Sequence, residues 1–433
     1  MKLTIHRGTN QIGGCVTEIE SNGYRVFIDF GEQLPGMEKI ELPPIDGLTF
    51  GDISKSALFI THYHGDHIGK ISDTVADLPI YVGKTGLAIY NCLESRLSHI
   101  PDPQEAEKHQ KIVERIRKVK IFEKFQKVKI GEISITPLVV DHSAFDAYMF
   151  VVEADNKRIL HTGDFRGHGF RSDELVPMLE IYAKDIDYII SEGSNIQRPN
   201  AIIQTEQKLQ DDFKSQFKEY KYNFVLTSST NIDRIFSLYH AAKDAKRCFV
   251  CDDYQTKIMK IVSENHKQEL SFYDIDYEQK TNSVGRFFDL RRYHGNSFSF
   301  AGKLKPFLDK HGFCMLIRSN DDFNPILEEY VKSNETKIYY SMWNGYLDAK
   351  KTAFNESLYN FLKPYQYEVM HTSGHADIQT LNAVFEVVNP KGGVLPIHTD
   401  APEKFQELFS GQTIIPLKDG EVFDCNISPI DKL

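Results

Sequence analysis

Long apolar runs are missing from this chain of 433 residues. No stretch approaches the roughly 18 apolar residues that a membrane-spanning helix requires, so no span is expected. The amino terminus, Met1-Lys2-Leu3-Thr4-Ile5-His6-Arg7, has no extended apolar region and is not read as a signal peptide. Patterned cysteine is missing too. The six cysteines are scattered, which excludes a disulfide framework and fits a reducing cytoplasm. Cys248-Phe249-Val250-Cys251 has CxxC spacing but lies in a strand-like run. A strand points residues three apart to opposite faces, so these read as two packed thiols. An excess of positive charge is also absent: 51 Lys and Arg stand against 61 Asp and Glu, a net charge of −10. That argues against an overall basic nucleic-acid binder. It leaves room for a nuclease whose positive charge is confined to a groove and to bound metals. The chain has no internal repeat or low-complexity tract.

What the chain does have is concentrated histidine. Thr61-His62-Tyr63-His64-Gly65-Asp66-His67 directly follows the apolar run Ala57-Leu58-Phe59-Ile60. Such a run reads as a buried strand, whose end would deliver ligands to one point. In extended backbone His62 and His64 share a side and can hold one ion. A turn at Gly65 would let Asp66 and His67 face a second ion nearby. Imidazole plus carboxylate, with no thiolate, suits a catalytic zinc site that keeps a position open for water. Surface-loop histidines are the alternative. Four ligand-type residues together rarely serve packing, because buried polar groups need partners.

This His-x-His-x-Asp-His pattern after a strand resembles the metallo-β-lactamase superfamily. The resemblance implies further ligands, each ending a β-rich apolar run: His142 in Asp141-His142-Ser143, Asp164 in Thr162-Gly163-Asp164-Phe165, and His398 after Gly393-Val394-Leu395-Pro396-Ile397. It narrows to the β-CASP nucleases, the branch containing ribonuclease J. Asp187-Tyr188-Ile189-Ile190-Ser191-Glu192-Gly193-Ser194 resembles that branch's acidic motif A. His371-Thr372-Ser373-Gly374-His375-Ala376-Asp377 resembles its motif B, with His375 as the key histidine, and His398 falls at motif C. Thr227 to Ile235 resembles the start of the inserted β-CASP domain. Two departures stand out: Gly193-Ser194 replaces an expected serine-threonine pair, and Thr399-Asp400 replaces the usual Gly-Glu. The chain also stops at Leu433, earlier than the C-terminal domain of full-length ribonuclease J would allow. Dimerisation therefore stays open, a homodimer included.

The order of elements agrees with an α/β architecture. Short β-runs dominate to about Asn195: Arg25 to Asp29, Ala57 to Ile60, Ile133 to Val140, Tyr148 to Glu153 and Arg158 to Thr162. Gln104 to Lys120 has helical spacing of Ile112, Ile116 and Val119. From about Arg198 helix and strand alternate, with helix expected at Asp233–Ala245, strand at Arg247–Cys251 and helix at Gln255–Glu264. That suggests an inserted α/β domain with a parallel sheet. The expected fold is a metallo-β-lactamase αββα sandwich, residues 1–197 and 367–433, split by a β-CASP domain over 198–366 that folds over it as a lid.

The resemblance implies two zinc ions, with manganese as the substitute. One would be held by His62, His64 and His142, the other by Asp66, His67 and His398, with Asp164 bridging. Asp66 would orient the attacking water. His375, held by Glu192, would protonate the leaving oxygen. Ordinary capping or core roles are the competing readings for Glu192 and His375. His371 and Ser373 would hold a substrate phosphate. Ser228 and Ser229, ahead of a helix, could do so too, although N-capping explains them equally well. Tyr340, Trp343 and Tyr346 are candidates for stacking on RNA bases but read first as core of the insertion. The expected activity is zinc-dependent hydrolysis of single-stranded RNA, as endo- or 5′-exonuclease, in the cytoplasm. A same-fold hydrolase of DNA or of a small molecule is the alternative, and a non-catalytic scaffold is disfavoured because all seven ligand positions are filled. A diiron oxygen-reducing enzyme is disfavoured because that branch carries a carboxylate where His64 stands.

Overall fold

The computed structural model describes residues 1–36, 40–200, 203–266, 271–275, 286–290, 292–293, 297–298 and 304–427. They form two compact units. The first comprises 1–167, 171–202 and 374–433, and the second 168–170 and 203–373.

Two sheets build the first unit. One has seven strands, in the spatial order Val422–Asp424, Lys2–Arg7, Val16–Ser21, Tyr24–Ile28, Ser56–Phe59, Ile80–Gly83 and Lys120–Phe122. The other has six, in the order Gly393–Ile397, Tyr188–Glu192, Lys157–His161, Ala147–Ala154, Ile133–Val140 and Val128–Ile130. Their inner faces share one apolar core that includes Ile5, Val26 and Phe59 from the first sheet and Phe150, Ile190 and Ile397 from the second. The strand Ala147–Ala154 shows how sequence makes this layer. Tyr148, Phe150 and Val152 point into the inter-sheet core, while Ala147, Met149 and Val151 point outward against helices Leu175–Tyr182 and Ile378–Val388. Burial on both faces explains a continuous apolar run in place of alternation. On the other side, the crossover between parallel strands Ile80–Gly83 and Lys120–Phe122 carries helices Lys84–Leu97 and Pro103–Ile116. The result is a helix–sheet–sheet–helix sandwich.

The charged amphipathic segment forms a helix, though it begins one residue early and stops at Ile116. Asp102 caps it by accepting from the Gln104 and Glu105 amides, with Pro103 in the first turn. Ala106, Ile112 and Ile116 are buried. The chain leaves the helix because Lys120 starts a strand paired to Tyr81, which removes Val119 from the helical stripe.

The second unit holds a six-stranded sheet whose neighbouring strands all pair in parallel, in the order Phe287–Leu290, Cys248–Asp252, Phe313–Ile317, Tyr222–Leu226, Thr336–Tyr340 and Glu368–Val369. Helices Ile232–Asp244 and Asp253–His266 flank Cys248–Asp252 in sequence, the alternation expected of a wound α/β sheet. Cys248 and Cys251 are buried free thiols in that strand. Burial pushes Cys248 up to about 12 and Cys251 well above the thiol range, so both are inert. The expectation of three core aromatics needs correction. Tyr340 is fully buried, but Trp343 and Tyr346 are each 39% exposed. They lie past the strand Thr336–Tyr340, Trp343 just before the turn Asn344–Leu347 and Tyr346 within it.

Candidate metal centre

Strand ends assemble the centre within the first unit. Past Ser56–Phe59 the chain runs through Thr61 and His62 into the short helix Gly65–Ile68. This entry is fastened by Asp29, whose carboxylate accepts from the Thr61 amide at 2.7 Å and from its hydroxyl at 2.8 and 3.0 Å. His62 and His64 precede the helical turn, and Asp66 and His67 lie in it. The turn therefore splits the motif into two ligand pairs. His142 follows Ile133–Val140, Asp164 follows Lys157–His161, and His398 follows Gly393–Ile397. Asp29 and His398 adopt left-handed backbone, at φ of 61° and 52°. For non-glycine residues this is a cost of order 1–2 kcal/mol, met at sites where neighbours over-determine the geometry.

The seven side chains fall into two groups joined by Asp164. His64 Nδ1 lies 3.1 Å from His62 Nε2 and 3.2 Å from His142 Nε2. His398 Nε2 lies 3.2 Å from Asp66 Oδ2 and 3.3 Å from His67 Nε2. Asp164 Oδ2 is 3.2 Å from His67 Nε2, 3.8 Å from His62 Nε2 and 4.0 Å from His142 Nε2. One carboxylate thus reaches both groups. Their ligand atoms converge closely enough to hold ions in each set.

The outer nitrogens are also held. His67 Nδ1 donates to Asp29 Oδ2 at 2.7 Å, and His142 Nδ1 donates to the Gly374 carbonyl at 2.5 Å. His62 Nδ1 lies 3.0 Å from Thr61 Oγ1, and His398 Nδ1 lies 2.8 Å from Ser194 Oγ. Partners of this kind fix the tautomer and ring orientation of a ligating imidazole. Sequence reading missed Asp29, Ser194 and the buried pair Asp141–Arg166, joined at 2.6 Å. Asp29 carried a usable signal: like the ligands, it is an acid ending an apolar strand run.

Charge explains what the cluster is built to contain. Burial holds His62 and His142 well below the imidazole range and brings His64 down to about 4, so all three present lone pairs. Burial also opposes charge on His67, but Asp164, Asp29 and Asp66 outweigh it and raise the group well above its usual value. Asp164, against its own burial, is held well below the carboxylate range by His398, His67 and His375. Among the described residues its buried Oδ1 has no hydrogen-bond partner and lies 3.6 Å from His398 Nδ1. Buried Asp29 and Asp164 and half-buried Asp66, set among imidazole lone pairs, call for added positive charge, which divalent ions supply. The donor set fits them.

Beside the cluster, His375 Nδ1 lies 3.1 Å from Glu192 Oε2 and 3.6 Å from Asp164 Oδ2. The His375 side chain keeps 27% of its surface exposed, whereas Glu192 is buried. Glu192 accepts from the Phe165 amide at 3.0 Å and from Ser194 Oγ at 2.8 Å. Burial disfavours charge on His375, but Glu192 and Asp164 reverse that and push it up to about 9. His371 and Ser373 belong to the second unit. There His371 Nδ1 lies 3.5 Å from Arg234 Nη1, and the Ser373 carbonyl accepts from His168 Nε2 at 2.7 Å. Ser228 Oγ accepts from the Thr230 amide at 3.3 Å, and Asn231, not either serine, caps the following helix through the Arg234 amide.

The two departures from the family pattern meet in space. A Cβ on Gly193 would stand 3.1 Å from Thr399 Cβ and 2.5 Å from the Phe405 ring. A side chain added at 193 would compete for the space beside Thr399 and Phe405.

Comparison with known proteins agrees with this geometry. Residues 14–176 match the metallo-beta-lactamase superfamily. Ribonuclease J of Mycoplasma pneumoniae is 23% identical over 92% of this chain and 67% of its own length. Ribonuclease J of Helicobacter pylori is 23% identical over 92% of this chain and 56% of its own. A crystal structure of a protein of unknown function from Enterococcus faecalis superposes with a TM-score of 0.70 at 20% identity, covering 98% of this chain and 99% of that one. This last likeness concerns the fold alone.

Proposed function

We propose that this chain, which matches the metallo-β-lactamase superfamily over residues 14–176 and is similar to ribonuclease J over most of its length, is a zinc-dependent ribonuclease. It hydrolyses phosphodiester bonds of single-stranded RNA in the cytoplasm. His62, His64 and His142 would hold one ion and Asp66, His67 and His398 the other, with Asp164 in reach of both sets. Bound zinc ions supply Lewis acidity, which makes hydroxide available near neutral pH and offsets charge growing on phosphoryl oxygens.

The observation that carries the reading is the His375–Glu192 pair at 3.1 Å beside the seven-residue cluster. A small-molecule hydrolase with a good leaving group has no need of a second, carboxylate-held imidazole. A ribose oxygen is a poor leaving group and needs a proton. With Nδ1 held by Glu192, His375 donates from Nε2. Asp66 accepts a hydrogen bond from the attacking water and orients it. His371 and Ser373 are assigned to a substrate phosphate.

The test is cleavage of 5′- and 3′-labelled single-stranded RNA by zinc-loaded protein, with 5′-monophosphate and 5′-hydroxyl ends compared. RNA cleavage abolished by chelator and restored by zinc supports the assignment, and the label pattern reads the direction. Inert RNA with active hydrolysis of a lactone, thioester or small phosphodiester refutes it.

A further inference from the structure

We propose that Ser194 is a positioning residue that selects the tautomer of His398 and ties the second metal set to the proton-donating pair. The inference rests on the metal assignment above and not on the identity of the substrate. Ser194 Oγ lies 2.8 Å from Glu192 Oε2 and 2.8 Å from His398 Nδ1, and the Ser194 amide donates to the same Glu192 oxygen at 3.3 Å. A hydroxyl has one proton and two lone pairs. The Ser194 hydroxyl donates its one proton to Glu192 Oε2. His398 Nδ1 must then carry a proton and donate it to Oγ. That leaves the lone pair on Nε2, the nitrogen that faces Asp66 and His67.

His398, like His62, meets a hydroxyl at Nδ1, and Asp164 Oδ1 stands 3.6 Å from the same His398 nitrogen. His67 is oriented directly by a carboxylate and His142 by a backbone carbonyl, both of which dictate an N–H on the facing nitrogen. A hydroxyl alone dictates nothing, since it can donate or accept. Glu192 breaks the ambiguity. The same oxygen, Oε2, also faces His375 Nδ1. One carboxylate oxygen therefore sets an imidazole in the metal set through Ser194 and the candidate proton donor directly. His398 also sits at a left-handed φ of 52°, a conformation that would not by itself fix its ring.

Two near-isosteric substitutions isolate the hydroxyl: Ser194→Thr keeps it and Ser194→Val removes it, while Ser194→Ala removes it without added methyl groups. Metal-free protein is titrated with Zn²⁺ against a chromophoric chelator, with no RNA present. Wild type and Ser194→Thr should bind two ions. Ser194→Val and Ser194→Ala should bind one ion unchanged and the second about 10–100-fold more weakly, the usual cost of losing such a partner. In ¹⁵N-histidine spectra of metal-free protein, His398 should be the Nδ1–H tautomer in wild type and Ser194→Thr, and a mixture in the other two. Unchanged affinity for both ions without the hydroxyl, or a loss that Ser194→Thr shares, overturns the proposal. Absence of RNA cleavage by wild type would refute the substrate and leave this comparison decisive.

Discussion

His375 is where burial and charge pull in opposite directions, and charge wins. Its value, raised to about 9, has three carboxylate sources, Glu192 first, then Asp164 and Asp66. Cations held at Asp164 and Asp66 would offset those two sources and leave Glu192 as the main support for the imidazolium. A general acid works only while protonated, so turnover falls as pH rises through its pKa. Glu192→Gln removes the supporting charge, lowers that pKa and moves the alkaline limb of the kcat profile to lower pH. Profiles taken at saturating zinc check this, because Ser194 hangs from the same carboxylate. An alkaline limb that stays in place would remove Glu192 from the proton-donating pair.

At the scale of elements, the convergence of the seven candidate side chains was legible because they follow apolar runs, and strands of a sandwich finish at a common edge. The split of the histidine motif into two pairs follows from a helical turn starting at Gly65, as that glycine suggested. What stayed hidden depends on contacts between distant segments. Asp29 fastens Thr61 from another strand, and Ser194 reaches His398 across neighbouring parallel strands. Neither contact has a spacing signature. Trp343 and Tyr346 were misread because an aromatic-rich run after a buried strand looks the same whether the next turn is covered or bare. The paired departures make a test at this scale. Gly193→Ser forces a side chain against Phe405 and Thr399, and overpacking of this kind costs about 1–3 kcal/mol. Combining it with Thr399→Gly should destabilise less than the sum of the single changes, read by urea unfolding of metal-free protein. Strict additivity would show that the two departures are unrelated.

Across the whole molecule, the fold class was the most legible feature and the substrate the least. Alternating strand and helix patterns identify an α/β chain, and the motifs place its ligands, but charge points the other way from nucleic acid, at −10 overall. RNA binding must then rest on local cations and bound metal. Affinity for RNA should fall as salt rises, with a shallow slope reflecting few phosphate contacts. The motif C histidine, His398, stands where the DNA-processing β-CASP branch tends to carry valine. Matched single-stranded RNA and DNA should therefore be cleaved at different rates, RNA faster. Equal or faster DNA turnover would overturn that preference. The most direct test of the account measures bound zinc and RNA turnover together in His375→Ala and His398→Ala. The account predicts two zinc ions and a kcat lowered roughly 10²–10⁴-fold for His375→Ala, and lost zinc with lost turnover for His398→Ala. A His375→Ala protein that loses an ion, or that cleaves RNA at the wild-type rate, would contradict it.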